Sequence, residues 1–122
     1  MNSLTILDDK ASVKAAIATM HPVAKDAAQM LSNNMLDNPA IMSDDKTVEQ
    51  EWKQCIAFAA SRAGMNPEVN AEKFDDFVEN HGQSVLNVAV SIVHLTEKEK
   101  KWGWVKKAAA VGVGVVIGSL FG

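Results

Sequence analysis

QSVLNVAVSIVHL, residues 83–95, is the stretch on which the fold class turns. Its β-branched residues Val85, Val88, Val90, Ile92 and Val93 suit a strand. The same residues also place Val85, Val88, Ala89, Ile92 and Val93 three and four apart, as one face of a helix requires. A strand needs a second strand to take up its backbone hydrogen bonds. No other run in the chain is evident as that partner, so residues 83–95 are predicted to be helical and the fold to be all-α.

The flanking sequence supports this. Upstream, Val13, Ala16, Ile17, Met20, Ala24, Ala27, Leu31 and Met35 form one stripe at helical spacing. Asp8 or Asp9 can cap its start. His21-Pro22 interrupts it, because the residue before a proline avoids the α region, so the stripe is either a kinked helix or two helices meeting at His21. Asn33-Asn34 and Asp37-Asn38-Pro39 end this region, and a loop runs to Ser43-Asp44-Asp45. Thr47 and Gln50 resemble a capping box ahead of a second stripe, Val48, Trp52, Cys55, Ile56, Ala59 and Ala63. Gly64 stands where a helix C′ glycine belongs. Asn66-Pro67 reads as a cap followed by proline at the first helical position, with Phe74, Phe77 and Val78 as a short apolar face and Gly82 closing that element. Thr96-Glu-Lys-Glu99 has the capping-box form and is expected to start a last helix. The predicted architecture is a small bundle of about four or five helices with a glycine-rich hydrophobic helix at its C-terminal end.

Charge divides the chain in two. Residues 1–95 hold seven basic and thirteen acidic residues, and residues 96–122 hold five lysines and two glutamates. An acidic helical domain, 1–95, therefore precedes a basic and then apolar tail, 96–122. Nucleic acid is not an expected partner of such a body, since affinity for phosphates needs clustered positive charge. The first residues lack the basic and apolar regions of a secretory signal. One cysteine cannot make an internal disulfide. The body is accordingly expected in the cytoplasm, or to leave it by a route that needs no cleaved signal.

The tail carries the most unusual surface. Trp102, Trp104, Lys106 and Lys107 form a collar of the residue types found at membrane interfaces. Beyond it, residues 108–122 contain no charge. Ala110, Gly114, Gly118 and Gly122 recur every fourth residue, a small-residue seam of the kind that lets helices pack closely in lipid. Fifteen residues make roughly 22 Å of helix, and counting from Trp102 gives roughly 31 Å, against a hydrocarbon core of about 30 Å. Spanning is marginal, and self-association is the firmer expectation. Lipid through the tail, a second copy or another protein are the expected partners. The glycines of GVGVVIG, 112–118, do not make a dinucleotide site, because no strand-helix-acid context follows them.

Elsewhere the chemistry is sparse. Cys55 lies on an apolar stripe and reads as a core residue rather than a nucleophile. His21, His81 and His94 are far apart in sequence, with no partner at metal spacing. His21 and His81 read as turn or cap residues. Asp75, Asp76 and Glu79 read as a solvated acidic face, and Trp52 as core. No catalytic site, cofactor or metal is expected. An enzyme would need Cys55 or a histidine in a polar pocket. Two functions fit. One is a non-enzymatic protein that associates with or inserts into membranes and self-associates through its tail, as a tail-anchored adaptor or a toxin- or effector-like protein. The other is a soluble interaction module, such as a chaperone, immunity-type or assembly subunit, with the tail buried in its own core or in an oligomer.

Overall fold

Helices start where a polar group can take the first unpaired backbone N–H groups. In the computed structural model, which describes residues 6–64 and 68–100, four α-helices do so, and one short 3-10 turn lies between the second and third. Helix α1, Lys10–Ala18, is capped by Asp9, whose Oδ1 accepts from Ser12 N–H at 2.7 Å. Helix α2, Pro22–Asp37, is capped by His21, whose Nδ1 accepts from Val23 N–H at 3.1 Å. The interrupted stripe is thus two helices, not one kinked helix. A 3-10 turn, Pro39–Ser43, leads to α3, Asp45–Arg62. Helix α4, Ala71–Lys100, begins just after Asn70, whose Oδ1 accepts from Lys73 N–H at 3.4 Å. No strand occurs among the described residues, and the fold is all-α as predicted.

Three sequence signals act differently from expectation. Asp44, not Thr47, caps α3: it accepts from Lys46 N–H, and the Thr47 hydroxyl inside the first turn donates to it as well. Gly82 does not close an element, and Thr96 does not open one. Both lie inside the single helix α4. Thr96 is buried, and its hydroxyl donates to Ile92 O at 2.8 Å, one turn back, instead of accepting from a downstream N–H. Gly64, by contrast, is the expected C′ residue after α3, with φ +81° and its N–H on Ser61 O.

Helix α2 packs on both α3 and α4, and α1 lies against α4. The core is drawn from all four helices, with Val13, Leu31, Met35, Ile56, Leu86 and Ile92 among its fully buried side chains. Burying each of the larger ones contributes about 1.5–3 kcal/mol. Alanines 24, 27 and 28 on α2 and 59 and 60 on α3 are buried too, and their small size allows the helices to approach closely. From Val85 to Thr96 every residue of α4 except Asn87 and His94 is buried. The division at residue 95 drawn from charge falls inside this continuous helix.

Gly82 is a notch for α3. The Trp52 indole N–H donates to Gly82 O at 2.8 Å, and a Cβ on Gly82 would sit 2.8 Å from Trp52 Cζ2. Alanine at 82 must push the indole off its hydrogen bond. Overpacking of this kind costs about 1–3 kcal/mol, partly offset by about 1 kcal/mol of helix propensity. Gly82→Ala is therefore expected to lower stability by about 1 kcal/mol, read as a lower urea midpoint. In a Trp52→Phe background the same substitution should be neutral or stabilising, and the double-mutant cycle measured by denaturant unfolding checks this.

Candidate functional site

The tail residues singled out from the sequence, the collar Trp102, Trp104, Lys106 and Lys107 and the seam Ala110, Gly114, Gly118 and Gly122, lie outside the described residues. Among the described residues, no helix is long and apolar enough to cross a membrane, and no group of three metal-ligating side chains comes together. Asp75, Asp76 and Glu79 are exposed on α4. Trp52 is half-buried against Gly82.

Cys55 is 4% exposed, with its Sγ accepting from Asn34 Nδ2 at 3.6 Å. Burial pushes its thiol up to about 11 from 9.0, and the nearby Glu51 carboxylate adds to the effect. A thiolate is the nucleophilic form, so this cysteine is poorly suited to attack at neutral pH.

The described residues bring two histidines together where sequence spacing gave no hint. His21 caps α2, and His81 sits one turn ahead of the α4 core, next to the Gly82 notch. Their ring centroids are 5.2 Å apart. Phe77 completes a triangle, edge-on to His21 at 5.4 Å and tilted against His81 at 5.0 Å. His21 is the cap residue its sequence context predicts. His81, predicted as a turn or cap residue, is instead a mid-helix residue with its ring in this cluster. The Val23 N–H donates to Nδ1 of His21, so the neutral ring carries its proton on Nε2.

The cluster borders a half-open cavity of about 220 Å³ at the corner of α1, α2 and α4. It is lined by apolar Ala16, Met20, Ala24 and Val88 and by polar Thr19, His21, His81, Ser84 and Asn87. Leu7 supplies a further wall. The arm that carries Leu7 is tied to α4 twice: Leu7 N–H donates to Ser91 Oγ at 2.9 Å, and Asp8 Oδ1 lies 3.1 Å from His94 Nε2. The second tie is largely solvent-exposed, which limits its strength. The first is stronger by position, because Ser91 is fully buried and passes its own proton to Asn87 O at 2.7 Å. His94 is therefore an arm clasp, a role that its sequence neighbours did not signal.

A shallower groove lies between α2 and α3, lined by Met30, Asn34, Glu51, Gln54, Cys55 and Phe58. Phe58 is 57% exposed, and the Arg62 guanidinium stands 5.9 Å over its ring.

No protein-family model matches the chain, and neither the curated proteins nor the solved structures include a significant match to it.

The Cys55 environment makes a direct prediction. Iodoacetamide at pH 8 should label Cys55 far more slowly in the native protein than in urea, as followed by mass spectrometry. Because the folded-state thiol titrates above its ordinary value, its contribution to stability is full below pH 9.0 and is lost as pH rises through about 11. Unfolding free energy measured against Cys55→Ala should show that loss in the same window.

Proposed function

We propose that this chain is a non-enzymatic helical protein that associates with membrane lipid, and with copies of itself, through residues 108–122, with the α1–α4 body on the cytoplasmic side. The carrying observation is the continuity of α4. Its residues 85–96 are fixed in the bundle core, and the same helix runs on to Lys100, one residue before the segment that leads through the Trp and Lys collar. Any surface engaged by that segment is mechanically joined to the body. Since no described helix suits a bilayer, lipid contact falls to the segment after Lys100. Its uncharged run and interfacial residue types fit that task, and its fourfold-spaced small residues fit close helix packing. Lysines beside an anionic leaflet each add about 1 kcal/mol of attraction.

A second reading rests on Phe58. An exposed aromatic with an arginine stacked over it, at the mouth of a groove, is the residue pairing that anchors protein interfaces. It favours a soluble interaction module, with the apolar segment covered in its own core or in an oligomer.

Vesicle flotation of the full chain separates the two. On the first reading the protein floats with vesicles containing anionic lipid, and Val115→Glu abolishes flotation, because a charge in the apolar run costs about 2.5–3.5 kcal/mol. Gly114→Leu with Gly118→Leu should retain flotation and lose cross-linked oligomers. If Val115→Glu floats like the wild type, the lipid reading fails. If the full chain stays monodisperse without lipid and Phe58→Ala abolishes its self-association, the second reading replaces it.

A further inference from the structure

We propose that the corner cavity between α1, α2 and α4 binds a small monocarboxylate with a short apolar body, the head held by His21 and His81 and the body lying on Ala16, Met20 and Val88. The cavity lining supplies both kinds of surface such a ligand requires: apolar side chains, among them Ala16, Met20 and Val88, and polar ones, among them His21, His81 and Ser84. At about 220 Å³ it has room for a body somewhat larger than a benzene ring, which fills a cavity of about 150 Å³.

The donor chemistry selects the head group. His21 uses Nδ1 as an acceptor for Val23 N–H, so the hydrogen-bonding edge left to it is the Nε2–H donor. His81 makes ring contacts with His21 and Phe77 but no hydrogen bond to the described protein. Two imidazoles with centroids 5.2 Å apart are close enough to donate to the two oxygens of one carboxylate. A cation has nothing to pair with, since the cavity lining contains no carboxylate among the described residues. This is notable in a body whose residues 1–95 carry thirteen acids. The cavity is also built from elements that hold their places. His21 is fixed by its cap, His81 by the Phe77 stack, and Leu7 by the arm's bond to buried Ser91.

The test is photolabelling of the full chain with a short-chain diazirine carboxylate, mapped by mass spectrometry and competed with octanoate, octanol or acetate. Labels are expected on residues 16–24 and 81–88. Octanoate should displace them, octanol should do so about tenfold more weakly for lack of a charged head, and acetate should not. His81→Phe keeps a ring against Phe77 and should weaken octanoate competition about tenfold. Ala16→Leu fills apolar cavity volume while leaving both histidines in the sequence, and should reduce labelling to a similar extent. If His81→Phe does not fold, Ala16→Leu decides. Labels confined to residues 101–122, octanol as effective as octanoate, or wild-type labelling in both folded variants each overturn the proposal.

Discussion

Helix α4 is buried around nearly its whole circumference from Val85 to Thr96, and most of the other structural choices answer to that constraint. A helix enclosed on all sides needs side chains that pack closely in every direction and polar groups that satisfy themselves. Valines, isoleucine and alanine meet the first need. Ser91 and Thr96 meet the second by donating one turn back to Asn87 O and Ile92 O, and Ser32 on α2 does the same to Gln29 O. No buried side-chain polar atom is left unpaired among the described residues. An unpaired one would cost about 1–3 kcal/mol, a sizeable part of the stability of a chain this small. Where α4 leaves the deep core, at Gly82, the missing side chain admits the indole of Trp52 and fixes how α3 crosses it.

The same burial explains what the sequence concealed. An amphipathic helix shows its period because one face is wet. Residues 88–93 have no wet face, so their helical spacing is matched by a β-branched composition that suits a strand equally well. The absence of a strand partner had to decide between the two. Helices α1, α2 and α3, each with one exposed side, were legible from their stripes, and so were the local stops at His21-Pro22 and Gly64. The signals that misled were local motifs whose meaning depends on distant neighbours. Thr96-Glu-Lys-Glu99 has the form of a cap, but a cap works only if the chain before it is non-helical, and the packing of Val93 and Leu95 keeps it helical. Gly82 marks either a stop or a close approach, and the residue that decides is Trp52, thirty positions earlier.

The corner cavity was not legible for a related reason. His21 could be recognised as a boundary residue, since proline follows it. Its proximity to His81 depends on how α2 lies along α4, which no spacing in the sequence encodes. The arm over the cavity depends on the same helix: Ser91 serves the core through its proton and the arm through its lone pair. One buried hydroxyl thus ties the first described residues to the centre of the bundle. Cys55, the residue with the most intrinsic reactivity, lies elsewhere and is held in its least reactive form.

The cavity and the segment after Lys100 both act on α4, but at different ends. His81 and Lys100 are nineteen residues apart on one helix, roughly 28 Å along its axis. Between them lies the stretch packed on nearly all sides. Coupling between two sites requires an element with two arrangements that both sites bias. A close-packed helix with its hydroxyls internally satisfied has one arrangement, because sliding or rotating it would break Ser91 from Leu7, Trp52 from Gly82 and the core contacts together. Occupancy of the corner and engagement of the C-terminal segment are therefore expected to be energetically independent while the bundle is intact. An observed dependence of one on the other would mean that the bundle itself opens, and the part most easily released is the Leu7 arm, held by one part-buried hydrogen bond to Ser91 and one exposed contact between Asp8 and His94.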